Sequence, residues 1–204
     1  MAENQEHPDT TPVEPTPVGW AFLLQWVLAT VVGSLLGLVV AIAALFVPVM
    51  TLGMFANFQT LPTWIVVFVS AGSAMGAAAV GTTVGIAQRI VLRRHGLETR
   101  YWIPAAIVGR AIGGFAVTVL TLTVWYGGSG LAGVAVLLLH GAVVGLVQWF
   151  VVRRWARRAG WWILASAVGH FSLGTITGGA LVWLLRRPIP KRQGAMPSLE
   201  KPPL

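Results

Sequence analysis

The sequence predicts an all-α, polytopic membrane helical bundle of about five transmembrane helices, built from parallel helical-hairpin repeats. Of the 204 residues, 56% are hydrophobic and 10% are charged, against about 25% charged in a soluble domain. No charged residue occurs from Pro15 to Gln88, from Ala111 to Val152 or from Ala159 to Leu185. Each of these stretches exceeds the roughly 20 residues that cross a bilayer as a helix. The phrase GIAQRIVLRR, from Gly85, returns as GLVQWFVVRR, from Gly145.

Five apolar spans are expected, at residues 20–47, 64–92, 101–125, 131–152 and 161–185. Pro48 ends the first, TLPTW precedes the second, GGSG separates the third from the fourth, and Pro188 follows the fifth. Helices are expected because backbone groups in lipid need partners within their own segment. The fifth span is expected to cross once. The alternative is a segment that re-enters and returns to the same side, because GTITGGALVWLLRR resembles the end of span two, GTTVGIAQRIVLRR.

The spans form a transmembrane bundle over residues 20–187, between two tails. Residues 1–19 are acidic and proline-rich, and residues 188–204 are basic and proline-rich. Both compositions are typical of disorder. The first tail has no basic n-region, so it is not interpreted as a signal peptide.

The arginines alternate between loops. The loops after spans two and four are basic, whereas the loops after spans one and three carry no charge. The positive-inside rule predicts that the basic loops and the N-terminus are cytoplasmic, in a bacterial inner membrane. A single crossing by span five then places Arg186, Arg187, Lys191 and Arg192 on the opposite side, against that rule.

The net charge of +8 does not indicate nucleic-acid binding. The basic residues stand in short blocks at the ends of spans, where anionic lipid headgroups are the expected partners. A nucleic-acid module would need a soluble basic face. Five tryptophans beside the arginine loops are expected to anchor the chain at the membrane interface: Trp102, Trp149, Trp155, Trp161 and Trp162.

A second phrase, W-[VI]-x-A-[TAS]-x-V-G, begins at Trp26, Trp102 and Trp162. Spans one, three and five are therefore predicted to be relatives, and so are spans two and four. One repeat contains two crossings, so the copies share an orientation in the membrane. The pattern resembles a class of uncharacterised multi-span bacterial membrane proteins with repeated G-x-x-Q-[WR]-x-V-[LV]-R-R and W-[VI]-x-A units. The resemblance covers about Trp20 to Arg187 and implies no activity.

Small residues predict how the spans pack. Glycines four residues apart lie on one helix face and let two backbones approach closely. The predicted packing pairs are Gly81 with Gly85, Gly109 with Gly113, and Gly141 with Gly145. These faces are expected to pack within the chain, and whether some also serve an oligomer interface is left open.

Polar side chains inside the spans are the candidate functional residues, because they are costly in lipid. Gln88 and Gln148 precede the two arginine pairs, and Arg110 lies eight residues into span three. No span contains a carboxylate. His140 and His170 are candidate ligands of a haem or a chlorophyll-type pigment, since a neutral imidazole can bind the iron of a haem or the magnesium of a chlorin. Ser166 and Gly174 stand four residues on either side of His170 and would leave room for a flat macrocycle. A hydrogen bond to a neighbouring helix explains either histidine equally well.

The chain is not expected to be an enzyme. It has no cysteine, no metal-ligand spacing, no phosphate-binding loop and no serine–histidine–acid grouping beside the spans. The first functional expectation is a non-enzymatic membrane subunit that packs with other membrane proteins or with itself. One alternative is a pigment- or haem-binding accessory subunit of a membrane energy complex. The other is a small-molecule carrier or channel that uses Gln88, Gln148 and Arg110.

Overall fold

The computed structural model of the chain describes residues 19–54, 62–124, 130–169, 172 and 174–186. The elements formed by these residues are α-helices, which confirms the predicted fold class. In chain order they are α1 (Trp20–Met54), α2 (Thr63–Arg94), α3 (Trp102–Val124), α4 (Gly130–Val152), α5 (Trp161–Gly169) and α6 (Thr175–Leu185). The first four are long and apolar enough to cross a membrane, as in an integral membrane protein. Apart from Gly19, the two predicted tails lie outside the described residues.

The structure differs from the single continuous span expected over residues 161–185. The segment forms two short helices, α5 with 9 residues and α6 with 11. Their lengths are about 14 and 17 Å, roughly half of the bilayer core. Gly174 precedes α6 with φ +92°, a left-handed conformation that glycine adopts without steric cost. Thr177 at the start of α6 packs against Gly169 at the end of α5, so α6 turns back along α5.

Because of this reversal, Arg186 lies at the same end of the bundle as the start of α1. It borders one groove with Gly19 and Trp20. We call this end, which also carries Arg93, Arg94, Arg153 and Arg154, the arginine end. Arg186 therefore lies at the same end of the bundle as Arg93, Arg94, Arg153 and Arg154. Arg187, Lys191 and Arg192 lie outside the described residues.

The sequence predicts that Pro48 ends the first helix, but the structure differs. α1 continues through it to Met54. A proline inside a helix removes one backbone hydrogen bond and its ring needs space. Here the Pro48 ring packs onto α2 at Gly72, where a Cβ atom would overlap it. The missing side chain of Gly72 thus accommodates the proline within the α1–α2 contact.

The described helices pack in a closed ring. Each contacts the next along the chain, and α6 contacts α1. Within each hairpin, a glycine of the odd-numbered helix lies against the even-numbered one. A Cβ atom added at Gly33 would lie 2.7 Å from the Cα of Val84, and one at Gly109 would lie 3.1 Å from the Cα of Val144. In the third hairpin, Gly169 has the corresponding place beside Thr177.

The buried apolar core sits at the arginine end. It draws side chains from all six helices and from the loop before α5: Phe22, Trp26, Val91, Leu92, Trp102, Val151, Val152, Ala156, Ala159, Trp162, Leu181 and Leu184. Since α5 and α6 are short, this end is where the described ring is complete. Further from the arginine end than Gly174, the described residues place no helix between α1 and α4.

Candidate functional site

Three tryptophans meet at the centre of the ring, one from each odd-numbered helix. The ring centroids of Trp26 and Trp102 are 5.7 Å apart, those of Trp26 and Trp162 are 6.2 Å apart, and those of Trp102 and Trp162 are 6.0 Å apart. The interplanar angles of 69°, 82° and 65° make every contact edge-to-face. Such a contact is worth about 0.5–1.5 kcal/mol beyond the buried area. We call these three residues the tryptophan triad.

Trp102 and Trp162 are not the interface anchors that the sequence predicts. Trp102 is 0% exposed and Trp162 is 1% exposed, so neither reaches the headgroup region. A buried indole needs an acceptor for its N–H group. The motif residues Gln88 and Gln148 provide it, which explains why glutamine and tryptophan recur together in the sequence.

Each triad indole donates a hydrogen bond to the even-numbered helix of another hairpin. Trp102 Nε1 donates to Gln88 Oε1 of α2, and Trp162 Nε1 donates to Gln148 Oε1 of α4, both at 3.2 Å. Trp26 Nε1 closes the circle by donating to Thr177 Oγ1 of α6 at 3.3 Å. These bonds join the three hairpins in a cycle and hold the triad in place.

The predicted glycine pairs lie in the contacts between neighbouring helices. Gly81 and Gly85 of α2 face Ala106 and Ile103 of α3. Gly141 and Gly145 of α4 face Ser166 and Ile163 of α5, each partner sixty residues further along the chain. Gly109 and Gly113 of α3 face Val144 and His140 of α4. All six glycines are thus in contact with another helix of the same chain.

A cavity of about 170 Å³ lies directly beyond the triad, on the side away from the arginine end. This volume is about ten times what one buried water requires. Every described helix contributes to its lining, which is Trp26, Thr30, Ser34, Val80, Gln88, Arg110, Val144, Gln148, Trp162, Ser166, Gly169, Gly174 and Thr177. Gln88, Gln148 and Arg110, predicted separately from sequence, are brought together here.

The cavity is closed at the triad and open in the other direction. Trp26 and Trp162 form its closed end and are buried, whereas Ser34 and Arg110 are partly exposed. Ser34 lies two helical turns beyond Trp26 on α1, and Arg110 lies two turns beyond Trp102 on α3, about 12 Å at helical rise. The lining furthest from the arginine end is therefore partly exposed, as are Thr30 and Thr177 nearer the triad.

Arg110 brings a positive charge into this cavity. Its side chain as a whole is half-buried, but Nη1 is fully buried and has no hydrogen-bond partner among the described residues. The one acidic side chain that the structure describes is Glu98, in the loop between α2 and α3. No carboxylate occurs in any span. The guanidinium group is consequently not neutralised by the helices that surround it.

The free polar groups of the cavity are mainly donors. The Oε1 atoms of Gln88 and Gln148 already accept from tryptophans, and because indole N–H only donates, these bonds fix the orientation of both amides. The Nε2 of Gln88 donates to Thr30 Oγ1 at 3.0 Å. Beside Gln148, the motif position equivalent to Thr30 is Ala106, which offers no such acceptor. Ser166 Oγ is buried and has no partner in the described part of the chain.

The two candidate pigment ligands are placed differently. His140 packs against α3, where a Cβ atom at Gly113 would lie 3.1 Å from its Nδ1. His170 lies outside the described residues. The small residues expected to leave room beside it are both in helix contacts, since Ser166 meets α4 at Gly145 and Gly174 meets α1 at Thr30. Both residues also line the cavity beyond the triad.

Four polar lining residues were not among the polar candidate site residues predicted from the sequence: Thr30, Ser34, Ser166 and Thr177. Hydroxyl side chains are common in membrane helices and carry little signal alone. The first three share positions in the tryptophan motif. When the motif copies are aligned on their tryptophans, Ser34 falls at the position of Arg110, and Thr30 and Ser166 fall together at another position.

No protein family model matches this chain, and no curated protein or solved structure matches it either.

Proposed function

We propose that this integral membrane protein is a carrier that binds a small polar solute in the central cavity. The observation that carries the proposal is a polar cavity inside the ring, closed at one end by buried tryptophans and lined by Gln88, Gln148 and Arg110. Polar groups are costly within a membrane and are retained there when they pair with one another or bind a solute. A closed end favours a carrier over a channel, since a channel needs a continuous pore.

The packing-subunit hypothesis loses the support that glycine faces gave it. Gly81, Gly85, Gly141 and Gly145 all contact neighbouring helices of the same chain. These residues therefore supply no surface for a second membrane protein.

Three hairpins that originate from one duplicated unit would account for the cavity. The bonds of Trp102 and Trp162 recur at an offset of sixty residues, as do the contacts of Gly81 and Gly141. Equivalent helices around one axis bring equivalent side chains to that axis. In this proposal, the axis near Trp26, Trp102 and Trp162 became a binding site because motif positions such as Ser34 and Arg110 diverged.

The arginine distribution supports an orientation for the proposed carrier. The arginine end would face the cytoplasm of a bacterial cell, according to the positive-inside rule. The open side of the cavity would then face the outer half of the inner membrane. In the conformation described here, the solute would enter from that half.

Cysteine accessibility tests the proposal, and the natural chain has no cysteine to interfere. Methanethiosulfonate reagents modify thiols in water far faster than thiols in lipid. We expect a Ser34→Cys variant in detergent to react with such a reagent at least about tenfold faster than a Leu35→Cys variant. The matched control occupies the next position on α1 at the same depth, where Leu35 is 60% exposed on the outside of the ring.

Equal, slow reaction of the two variants would show that the cavity is closed to water and would overturn the proposal. Fast reaction of Ser34→Cys in a protein that elutes as a folded species in size-exclusion chromatography supports it. An unfolded protein would expose both cysteines to water. The Ser34→Cys and Leu35→Cys variants are therefore compared in the same preparation and over the same temperature series.

A further inference from the structure

We propose that the solute is a small oxyanion, a phosphate or carboxylate group, held by Arg110. This inference rests on the proposed function and specifies the chemical class of its ligand. Arg110 lines the cavity, its buried Nη1 has no hydrogen-bond partner among the described residues, and no membrane span contributes a carboxylate. An unpaired charge within a membrane protein is costly, and a bound anion removes that cost.

The donor groups are of the kind that bind this class of ligand. A guanidinium group presents a planar set of N–H donors that pairs with two oxygens of a carboxylate or phosphate. Ser166 also lines this cavity, and its buried Oγ, which lies against Gly145 of α4, has no partner among the described residues. The two groups come from different hairpins, α3 and α5, so the assembled ring is needed to bring them together.

The tryptophan triad supplies a reason why the cavity prefers anions. Trp102 and Trp162 take the Oε1 acceptors of Gln88 and Gln148. With its oxygen bound to an indole, each glutamine presents its amide nitrogen as the remaining polar group. Thr30 accepts from Gln88 and donates to the backbone oxygen of Trp26, so its hydroxyl hydrogen is also committed. Arg110 and the amide nitrogen of Gln148 can only donate, whereas the hydroxyl groups of Ser34 and Ser166 can donate or accept.

The charge selectivity of modification at position 34 measures this preference. We compare an anionic reagent, sulfonatoethyl methanethiosulfonate, with a cationic one, trimethylammonioethyl methanethiosulfonate, on Ser34→Cys with and without Arg110→Gln. The ratio of the anionic to the cationic rate is expected to fall at least about tenfold on removal of the guanidinium charge, which corresponds to about 1.4 kcal/mol. Differences in intrinsic reactivity cancel because the same cysteine is used. Arg110→Lys should retain most of the ratio, and Arg154→Gln, an exposed arginine at the arginine end, should leave it unchanged.

A second arm uses the Ser34→Cys protein with Arg110 intact, so it does not depend on a variant that fails to fold. Inorganic phosphate is expected to slow modification by the anionic reagent at least about threefold relative to chloride at equal ionic strength, because a bound anion occupies the cavity and cancels the charge of Arg110. The same protein in nanodiscs is then compared in phosphatidylcholine alone and with phosphatidylglycerol, without added phosphate. Protection by phosphatidylglycerol alone would identify a lipid headgroup as the source of the oxyanion, and protection by inorganic phosphate would identify a free one.

The oxyanion inference is overturned if neither phosphate nor phosphatidylglycerol protects position 34. It is equally overturned if the charge ratio is unchanged in a folded Arg110→Gln protein. In both cases, fast reaction of Ser34→Cys would leave the proposed solute-binding cavity standing. Slow reaction of Ser34→Cys with both reagents would instead contradict the cavity itself, so the two failures are distinct.

Discussion

The indole Nε1 of Trp162 donates a hydrogen bond of 3.2 Å to Oε1 of Gln148, and both side chains are buried. Trp102 and Gln88 form the same bond with the same length, sixty residues earlier in the chain. The two bonds tie hairpin to hairpin and set the amide orientation in the cavity. They are therefore the most direct place to test how the bundle is held together.

Gln148→Leu should lower the free energy of unfolding by about 1 kcal/mol, because it leaves the Trp162 N–H group buried without an acceptor. Chemical denaturation in detergent micelles, followed by near-ultraviolet circular dichroism, measures the change. Adding Trp162→Phe removes the stranded donor, so the double variant should be less destabilised than the sum of the singles. Additive effects, within about 0.3 kcal/mol, would contradict a direct bond.

Gln88→Leu should destabilise the protein more than Gln148→Leu does. Gln88 accepts from Trp102 and also donates to Thr30, whereas Ala106 occupies the equivalent position beside Gln148. Adding Thr30→Val to Gln88→Leu should remove most of the difference in the free energy of unfolding between the two glutamine variants, because Thr30 is the second partner of Gln88. The same denaturation assay gives the ranking. A larger effect of Gln148→Leu would disprove the assigned difference between the two sites.

Gly81→Ala should destabilise the bundle by about 1–3 kcal/mol through overpacking. Its Cβ would lie 2.7 Å from the carbonyl oxygen of Ala106 and 3.0 Å from the Cα of Ile107, and backbone atoms cannot give way as a flexible side chain can. Gly179→Ala is the matched control in α6. No atom lies within 4 Å of a Cβ at Gly179, so alanine there should be neutral or stabilise the helix by up to about 1 kcal/mol. Thermal unfolding that ranks the two variants in the reverse order would refute the described α2–α3 contact.

Arg186→Cys should be labelled from the same side of the membrane as Gly160→Cys, and from the opposite side to Gly53→Cys. The structure turns α6 back to the arginine end, where Arg186 lies beside Gly19. Cysteine is tolerated at the two glycines, since no atom lies within 4 Å of their Cβ positions. An impermeant maleimide applied to sealed vesicles of known orientation reads the side. Labelling of Arg186→Cys together with Gly53→Cys would restore the single crossing of residues 161–185.

Hydropathy and charge along the chain predicted the helical class, four spans to within about two residues at most ends, and the candidate polar residues. These are local properties, because each segment in lipid must pair its own backbone N–H and C=O groups and must exclude charged side chains. The exceptions are informative. Pro48 ends a helix by local rules, yet α1 passes through it because Gly72 of another helix has no side chain to obstruct the ring.

Only the tertiary structure decided which residues face the interior. In a water-soluble helix, an apolar stripe distinguishes inside from outside, but lipid-facing and buried surfaces are equally apolar here. Sequence alone therefore could not show that Trp102 and Trp162 meet at the centre and not at the membrane interface. It also could not bring Arg110 and Ser166 to one cavity. Both residues line the cavity because α3 and α5 pack on α4 in a ring that α6 closes onto α1, through contacts that no local pattern encodes.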